Sequence, residues 1–556
     1  MRHLYFLTRL FFALFCFFSA YGQTEKVVLD TVHMYIRTVP NTAEITFKTE
    51  NNRLKYTGND QILAAILKNE QLLEFERTFI TAKSDKLKRT YSVKVITSKI
   101  DPLSEEQSPS LKKTLIEEAP HIFEFGEVMA DTTVKVYYPN DYGTSIKGKE
   151  NKGYPVSLKH YDYLGMPQAW AYTTGSKNII IGIVDGSLPM DNTDFKDKTV
   201  EIRKAPLAGG HGYNSGANAA AKGDNGFGIP GVCYDCDLFS TTYSASFKTF
   251  EQMVELSKAG AKVINCSFIS TTYHDTAQEV INELYENGTL VVAGSGNRSW
   301  SDNKGEKLYY PASYDHVFSV TGITYKYETP YDNFGMDKKG KFYSQNIKNY
   351  LGRSLGFPNN DIEKDPFIWP ISTATLNPMV DIAAPAVLVF SYGNYTLRPE
   401  YIYNKYQSTS MATPFVAGTF GLIFSLYPDM PLLDAESIVR MTATNIDYIP
   451  ANKPFEGNYG AGGLHTGRAV KMAYEMITPS EVLTIENQKF NRWDFSLTAV
   501  SKQVVIKNES FTENASLQIK AKNSIIIKPN TRLQSSNSKG IKLSIVPETI
   551  IKSANN

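Results

Sequence analysis

Over the middle of the chain, from about residue 178 onward, short apolar runs alternate with stretches of helical periodicity. The apolar runs predict strands and the periodic stretches predict helices. The predicted strands are 179–184, 263–267, 290–293 and 317–320, and the predicted helices are 250–259 and 276–286. Glycines such as Gly260 and Gly288 mark the turns between them. This alternation predicts an α/β fold with a parallel sheet flanked by helices.

The two ends of the chain show other patterns. Residues 23–131 mix β-rich runs with helical runs, which predicts a small α+β domain. Past residue 477, apolar and polar positions alternate without helical runs, as around Val504 and Ile506, which predicts a separate small all-β domain. A charged, aromatic and proline-containing stretch at 325–373 interrupts the α/β rhythm and is interpreted as a surface insertion. The predicted divisions of the chain are 1–22, 23–131, 132–478 and 479–556.

The first of these divisions has the three parts of a signal peptide. Basic Arg2 and Arg9 accompany an apolar run at 10–18, and small residues ending in Gly22 precede Gln23. This predicts cleavage before Gln23 and export, so we expect the mature protein to be secreted, periplasmic or on the cell surface. A membrane anchor is the rival interpretation, but neither this run nor any later one approaches the ~18 apolar residues that a span needs. We therefore expect no integral membrane segment after signal removal.

Charge and cysteine content narrow the functional classes. The 556 residues include 58 basic and 57 acidic side chains, so no global field attracts nucleic acid or anionic lipid, and we expect neither as a partner.

Of the four cysteines, Cys16 leaves with the signal peptide. Cys233 and Cys236 have the spacing of a redox motif, but they do not open a helix after a strand and no second pair offers a zinc site. We expect a small structural disulfide between them, which leaves Cys266 unpaired.

Two polar residues draw attention because a parallel sheet places reactive groups at its strand ends. Asp185 follows the apolar run 179–184, where a carboxylate is costly unless it has a partner. His211 follows two glycines and begins a stretch of small residues, which permits a helix packed tightly in the interior. Taken singly, each has an ordinary explanation, as a turn-capping aspartate or a structural histidine.

A third residue, Ser410, lies in the sequence STSMATP at 408–414, at the start of a predicted apolar helix that continues to about residue 426. Pro414 suits the first turn of a helix, and the unpaired N–H groups of that turn face the hydroxyl. Such donors can stabilise developing negative charge. An ordinary Ser/Thr helix cap is the alternative, and the length of the motif around Ser410 argues against it.

This motif resembles the nucleophile motif of subtilisin-like serine proteases, peptidase family S8, and the order Asp, His, Ser along the chain matches as well. The resemblance covers roughly residues 135–478. Its further motifs are VINCS (263–267), VVAGSGN (291–297), YPAS (310–313), VDIAAP (380–385) and YGAG (459–462). It implies a subtilisin-like fold and a secreted serine endopeptidase (EC 3.4.21) that hydrolyses proteins through an acyl-enzyme intermediate.

The resemblance also assigns roles to individual residues. Ser410 is the expected nucleophile, His211 the general base, and Asp185 the carboxylate that orients the imidazole. The Asn297 amide and the backbone N–H of Ser410 are the expected oxyanion hole. An extended protein or peptide substrate is expected to pair with two chain segments. These segments contain Ser267, Phe268 and Ile269, and Ala293, Gly294 and Gly296.

The same resemblance bears on the rest of the chain. The α+β domain at 23–131 stands where the family has its inhibitory propeptide, so we expect an intramolecular inhibitor that is removed during maturation. A stable, non-inhibitory domain is the alternative, because α+β patterns are common. No cofactor is expected and no metal-ligand set stands out, so the sequence identifies no calcium site. The C-terminal segment resembles short β elements near the ends of some exported bacterial proteins.

The chain departs from the family pattern beside these residues. After the histidine the family has Gly-Thr-His, whereas this chain has GYN at 212–214, and the bulk of Tyr213 could displace the helix that carries His211. Phe268 and Ile269 replace a leucine–glycine pair beside the primary pocket, so cleavage specificity is not inherited. Two alternatives stay open: a catalytically silent relative that binds peptides, and an exported scaffold or adhesive protein.

Overall fold

The computed structural model divides the chain into two compact units, Met1–Tyr137 and Tyr138–Asn556. The structure describes residues 29–50, 53–68, 70–78, 84–98, 111–128, 134–143, 151–203, 210–242, 250–354, 356–367, 372–392, 403 and 407–547. The predicted signal peptide at 1–22, with its cleavage point before Gln23, lies outside these residues.

The first unit combines an antiparallel sheet with short helices. Its strands are β1 (Leu29–Thr38), β2 (Phe47–Glu50), β3 (Arg53–Tyr56), β4 (Gln71–Arg77), β5 (Thr90–Ser98), β6 (Phe123–Val128) and β7 (Val134–Val136). Its helices are α1 (Gln61–Leu67), α2 (Asp85–Lys88) and α3 (Leu111–Glu118). The main sheet has the order β4-β5-β1-β6, with β7 also paired to β1, and β2 and β3 form a hairpin. The described part of this unit thus has an α+β pattern.

Apolar residues from the helices and the sheet form the core of the first unit, among them Ile36, Leu63, Val93 and Leu115. The side chain of Asp60 caps α1 by accepting a hydrogen bond from the backbone N–H of Leu63 (2.8 Å). The apolar pattern at 61–73 reads as one helix, but α1 ends at Leu67 and β4 starts at Gln71. Pairing of β4 with β5 overrides the local helical pattern there.

The second unit contains the α/β part of the chain and its C-terminal strands. Its helices are α4 (Lys159–Leu164), α5 (Met166–Trp170), α6 (Gly210–Ala220), α7 (Glu251–Lys258), α8 (Asp275–Glu286), α9 (Trp300–Asn303), α10 (Thr409–Leu426), α11 (Leu432–Met441) and α12 (Thr466–Ile477), with 3₁₀ turns at Pro358–Asn360 and Pro450–Phe455. Its strands before α10 are β8 (Ile180–Val184), β9 (Thr199–Glu201), β10 (Asp237–Thr241), β11 (Ala261–Cys266), β12 (Leu290–Gly294), β13 (Val317–Ile323), β14 (Phe334–Met336), β15 (Phe342–Ser344) and β16 (Ile382–Pro385).

Seven of these strands form one sheet in the order β16-β13-β12-β11-β8-β10-β9, and every neighbouring pair is parallel. The central strands β11, β12 and β13 are buried along almost their whole length. Burial on both faces explains why their sequences are continuous apolar runs rather than alternating ones. Helices α7 and α8 pack their apolar residues against this sheet. The predicted α/β fold with a parallel, helix-flanked sheet is confirmed.

Helix α10 crosses the interior of the second unit. It contacts β8, β11, β12 and β13, and it also packs against α6 and α12. By length and composition it could span a membrane, but 83% of its apolar window is buried inside the protein. Burial on all sides is typical of the core helix of a large domain, and it explains the apolar composition.

The C-terminal segment winds into a solenoid of three coils. Its strands are β17 (Val482–Glu486), β18 (Lys489–Phe490), β19 (Asp494–Ala499), β20 (Gln503–Lys507), β21 (Ser510–Glu513), β22 (Ser516–Ala521), β23 (Ile525–Ile527), β24 (Arg532–Ser535) and β25 (Ile541–Ile545). They form three parallel sheets, β17-β20-β23, β18-β21-β24 and β19-β22-β25. Residues stack from coil to coil, as Phe490 does on Phe511, with ring centroids 5.4 Å apart. At one corner Asn508 Nδ2 donates to Asn487 Oδ1 (2.9 Å).

A separate domain at 479–556 stays a prediction; the solenoid lies in the same compact unit as the parallel sheet. Its first coil packs on α11. The backbone N–H of Ser496 donates to Ser437 Oγ (2.9 Å), and that of Thr498 donates to Asp434 Oδ2 (2.9 Å). Asp434 is buried at this junction. These hydrogen bonds between α11 and the first coil connect the C-terminal strands to the α/β part of the chain, although the sequence pattern changes between the two.

The stretch 325–373 is only partly a surface insertion. The hairpin β14–β15 is exposed, and Met336 has 62% of its surface accessible. Ile347, Leu351 and Phe357, in contrast, are buried. The prediction of a surface segment is wrong for these three, and Leu351 packs in an apolar cluster with Ile323 and Leu376 outside the stretch.

The cysteines follow the expected arrangement. Cys233 and Cys236 form a disulfide, and both are buried. Cys266 is a free thiol at the end of β11. Burial raises the pKa of this thiol well above its usual range. A buried thiol of this kind is inert, which is typical of a structural cysteine.

Candidate active site

Three adjacent strands bring the predicted site residues to one edge of the sheet. Asp185 directly follows β8, Ser267 directly follows β11, and residues 295–297 directly follow β12. The sheet order places β12, β11 and β8 side by side. Because parallel strands end at the same edge, these residues meet in the crevice where open α/β sheets bind ligands.

The Asp185 carboxylate is buried, with 1% of its surface exposed, and it has several donors. His211 Nδ1 lies 2.8 Å from Oδ1 and 2.9 Å from Oδ2. The backbone N–H of Gly186 donates to Oδ1 (2.6 Å), and the Ser215 hydroxyl donates to Oδ2 (2.8 Å). Donors at both oxygens offset the cost of burying the charge. Ser215 is a site residue that the sequence analysis treats only as one of several small residues.

His211 is the second residue of α6, and its side chain is 52% exposed. The hydrogen bond to Asp185 raises the pKa of His211 above 6.5, although partial burial opposes the shift. Because Nδ1 faces the carboxylate, Nε2 is the ring nitrogen that is left for proton transfer. Close packing holds the helix here, since a Cβ on Gly212 would come within 2.2 Å of the Gly186 carbonyl oxygen.

The bulk of Tyr213 does not separate His211 from Asp185. The Tyr213 hydroxyl accepts a hydrogen bond from Asn192 Nδ2 (2.9 Å). Its ring packs against Phe195 and Tyr392, with centroids 5.4 Å and 5.1 Å away. The large side chain is therefore accommodated in an aromatic cluster, and the helix displacement that the sequence raised is not needed.

Ser410 is the second residue of α10, and it forms a reciprocal pair with Ser267. The Ser410 hydroxyl donates to the Ser267 carbonyl oxygen (3.1 Å), and the Ser267 hydroxyl donates to the Ser410 carbonyl oxygen (3.2 Å). In a regular helix that second carbonyl would accept from the N–H of residue 414, which is Pro414 and has none. Pro414 lies inside α10 and not in its first turn as expected, and it leaves the Ser410 carbonyl available to Ser267.

The Asn297 side chain is oriented by the residue that precedes Ser410. The backbone N–H of Thr409 and its hydroxyl both donate to Asn297 Oδ1, at 2.8 Å and 3.1 Å. The Thr409 hydroxyl oxygen also accepts from the backbone N–H of Gly296 (3.3 Å). With Oδ1 engaged, the Asn297 amide nitrogen remains to donate outward, and the residue is solvent-exposed. The sequence motifs include Thr409 but do not indicate this orienting contact.

Comparison of the sequence with known proteins identifies the family of this chain. The model of the subtilase family, peptidase family S8, matches residues 91–462, which is more than half of the chain. The chain belongs to the subtilase family. It is a subtilisin-family serine protease, as the sequence motifs predict.

Curated relatives of this subtilase are about a quarter identical to it over the aligned residues, which make up about half of the chain. Subtilisin DY from Bacillus licheniformis is 26% identical over 286 residues, which is 48% of this chain and 85% of that protein. Thermitase from Thermoactinomyces vulgaris is 26% identical over 275 residues, 47% of this chain and 79% of that protein. The halolysin-like extracellular serine protease Nep from Natrialba magadii is 24% identical over 299 residues, 50% of this chain and 46% of that protein.

The residues predicted to contact substrate fall into two groups in the subtilase structure. Phe268 is partly buried and Ile269 is 37% exposed, so both side chains are accessible beside Ser267. Ala293 and Gly294 are buried instead. A Cβ on Gly294 would lie 2.9 Å from the Thr409 hydroxyl, so its missing side chain makes room for α10. Gly296 is also buried, with φ at +110°.

Among the residues that the structure describes, no group of three or more His, Cys, Asp or Glu side chains is arranged to hold a metal ion. Asp141 and Asp194 are two buried carboxylates outside the proposed triad. Asp141 accepts from the backbone N–H groups of Asp224 and Asn225, while Asp194 accepts from Asn225 Nδ2 and the Tyr392 hydroxyl. Burial raises the pKa of Asp141 to about 6 and that of Asp194 to about 8. These oxygens have protein donors, so we assign no metal to them.

Proposed function

We propose that this subtilase is a secreted serine endopeptidase (EC 3.4.21) that cleaves proteins through an acyl-enzyme. Asp185, His211 and Ser410 would form its catalytic triad, and the Asn297 amide and the Ser410 N–H its oxyanion hole. The observation that carries the proposal is the bond from His211 Nδ1 to the buried carboxylate of Asp185 (2.8 Å). A carboxylate that fixes the tautomer of a half-exposed imidazole is the arrangement that a general base requires.

In the proposed reaction, the imidazole of His211 first accepts a proton and later donates it. His211 Nε2 takes the proton of the Ser410 hydroxyl as the oxygen attacks the peptide carbonyl, and it later gives that proton to the leaving amine. Asp185 stabilises the imidazolium that forms in between. The oxyanion would accept hydrogen bonds from the Asn297 amide and from the N–H of Ser410, which lies in the first turn of α10.

A catalytically silent, peptide-binding subtilase is the second candidate, and one contact favours it. The Ser410 hydroxyl donates to the Ser267 carbonyl oxygen (3.1 Å) instead of to an imidazole nitrogen. A serine hydroxyl has three staggered positions about its Cα–Cβ bond, so the helix backbone alone does not fix this partner. Catalytic hydrogen bonds often tighten only when substrate binds, so we favour the enzyme.

Export and propeptide inhibition are parts of the same proposal. The signal-peptide pattern at 1–22 supports export, as does the name of the relative Nep, an extracellular serine protease. The first unit would act as the intramolecular inhibitor, in the position along the chain that a propeptide occupies. Mass mapping of the N-terminus of protein recovered from the culture medium tests both. An intact N-terminus at Gln23 in the active enzyme would contradict removal of the first unit.

Labelling by a fluorophosphonate probe tests the catalytic proposal. Purified mature protein should be labelled and should hydrolyse a peptide substrate, whereas Ser410→Ala should do neither. Ser408→Ala is the matched control, because it removes a serine hydroxyl two positions away on the same turn. Folded wild-type protein without the first unit that takes no label would contradict the enzyme and leave peptide binding as its function.

A further inference from the structure

Thr375 bonds to the residues on both sides of Asn297. Its backbone N–H donates to the carbonyl oxygen of Gly296 (2.8 Å), and its hydroxyl oxygen accepts from the backbone N–H of Arg298 (3.1 Å). Thr375 is completely buried. The two peptide groups that flank Asn297 are thus held by one residue that is far from them in the chain.

Thr375 is itself fixed by two further bonds. Its carbonyl oxygen accepts from the hydroxyls of Ser295 (2.7 Å) and Thr321 (2.8 Å). Ser295 directly follows β12, and Thr321 lies within β13, so both donors belong to the rigid sheet. Close approach is possible because residue 296 is a glycine, where a Cβ would lie 2.9 Å from the Thr375 hydroxyl oxygen.

The segment that contains Thr375 is also tied to the turn before Ser410. The backbone N–H and the hydroxyl of Thr373 both donate to Gln407 Oε1, at 3.2 Å and 3.1 Å. Gln407 Nε2 donates in turn to the carbonyl oxygens of Gly322 and Leu351, each at 3.1 Å. Gln407 is buried and lies three positions before Ser410. One short segment therefore connects the Asn297 turn with the Ser410 turn.

We propose that Thr375 is a positioning residue for the oxyanion hole, which holds the Asn297 amide in register with the Ser410 N–H. The inference rests on the proposed function. Thr375 does not touch the reacting atoms and acts through the peptide groups on either side of Asn297. The Thr373–Gln407 contact fixes the other end of the same segment, so residues 373–375 hold the backbone on either side of Asn297, while Thr409 bonds the Asn297 side chain directly.

Removing the Thr375 hydroxyl should affect the catalytic rate more than the stability, and this difference distinguishes a positioning residue from a merely structural one. Thr375→Val removes one buried hydroxyl and leaves the backbone N–H of Arg298 without that acceptor. Other buried threonines whose hydroxyls are hydrogen-bonded should lose a similar amount of stability on the same substitution. The cost in rate is larger, because oxyanion donors act only when they are aimed at the developing charge.

The experiment compares Thr375→Val, which is close to threonine in shape but lacks the hydroxyl, with Thr375→Ser, which keeps it. Thr289→Val is the matched control. Thr289 is a buried threonine just before β12, at the opposite end of that strand from Asn297. Its hydroxyl donates to the Ala261 carbonyl oxygen (2.9 Å) and is also hydrogen-bonded to the Ser257 hydroxyl (2.8 Å). For each mature enzyme, kcat and KM on a peptide substrate and the melting temperature are measured.

Thr375→Val should lower kcat roughly tenfold or more with little change in KM, while its melting temperature falls no further than that of Thr289→Val. Thr375→Ser should restore kcat. In an Asn297→Ala background the Thr375→Val change should cost less than about twofold, because the group that it positions is gone. If Thr375→Val fails to fold, Thr373→Val at a half-buried position gives the same comparison, with a smaller loss of kcat.

Three outcomes would overturn the inference. These are a kcat of Thr375→Val no lower than that of Thr289→Val, a loss that persists in full in the Asn297→Ala background, and no rescue by serine. In each, a wild type that reacts with the fluorophosphonate probe leaves the proposed function intact. A folded wild type that does not react overturns the proposed function and this inference together.

Discussion

His160 should make the second unit sensitive to acid. Its imidazole is completely buried in contact with the rings of Tyr161, Tyr325 and Phe415. Neither ring nitrogen has a hydrogen-bond partner among the described residues. Burial lowers the pKa of His160 from 6.5 to about 3, because a charged ring would lose its hydration there. The folded protein therefore keeps this ring neutral at pH values where the unfolded chain protonates it.

The sign and size of the effect follow from that difference in pKa. The contribution of His160 to stability is complete above pH 6.5 and is lost as the pH falls from 6.5 toward 3, where the unfolded state binds the extra proton. Between pH 7.5 and pH 5 the loss is about 2 kcal/mol in the free energy of unfolding. The pKa of His465 is also lowered to about 3, mainly by burial, so it adds a loss of the same sign.

The test compares a parent protein with His160→Leu, which puts an apolar side chain of similar volume at this position. Both carry Ser410→Ala to prevent self-digestion. Urea unfolding is followed by tryptophan fluorescence at pH 7.5 and pH 5, since the described tryptophans, Trp170, Trp300 and Trp493, lie in the second unit. The parent should lose about 2 kcal/mol more than the variant on acidification, since the variant retains only the contribution of His465. Equal losses in the two proteins would refute the reasoning.

Three further predictions concern the site and the solenoid. Asn297→Ala should lower kcat roughly 10²–10³-fold, the loss seen for the corresponding donor in subtilisin, and a near wild-type kcat would exclude the assigned role. The acidic limb of kcat/KM should lie above pH 6.5, because Asp185 raises the pKa of His211, and a pH titration of kcat/KM checks it. A chain that ends at residue 478 should melt several degrees lower in calorimetry, since it exposes Asp434 and its apolar neighbours. An unchanged melting temperature would mean that the solenoid is independent.

The parallel sheet can be predicted from the sequence because both of its faces are covered. Its central strands are continuous apolar runs, and the predicted strand 290–293 is observed as Leu290–Gly294. The order of the solenoid cannot be read in the same way, since alternation says nothing about which strand pairs with which. Its signal is a repeat, in which Asn487 and Asn508 are bonded partners 21 residues apart. Internal spacing of this kind is the feature that would have identified the coils.

The candidate site could also be predicted only in part from the sequence. The motifs supply the residues with distinctive chemistry, namely Asp185, His211, Asn297 and Ser410. They do not supply the hydroxyls that orient them, because serine and threonine are common and carry no motif of their own. Ser215 and Thr375 bond to residues that are 30 and 77 positions away. Contacts over such separations depend on the three-dimensional path of the chain, which local patterns do not specify.

The sheet order explains why these distant residues can converge at all. Neighbouring strands lie about 4.8 Å apart, so the ends of the adjacent strands β8, β11 and β12 span roughly 10 Å, close to the diameter of one helix. The start of α10 can therefore contact Ser267 after β11 and Asn297 after β12 at the same time. The spacing is set by strand pairing and not by the length of any connection. A long segment such as 325–373 can consequently be inserted between β13 and β16 without moving the site, provided that residues 372–375 return to the same place.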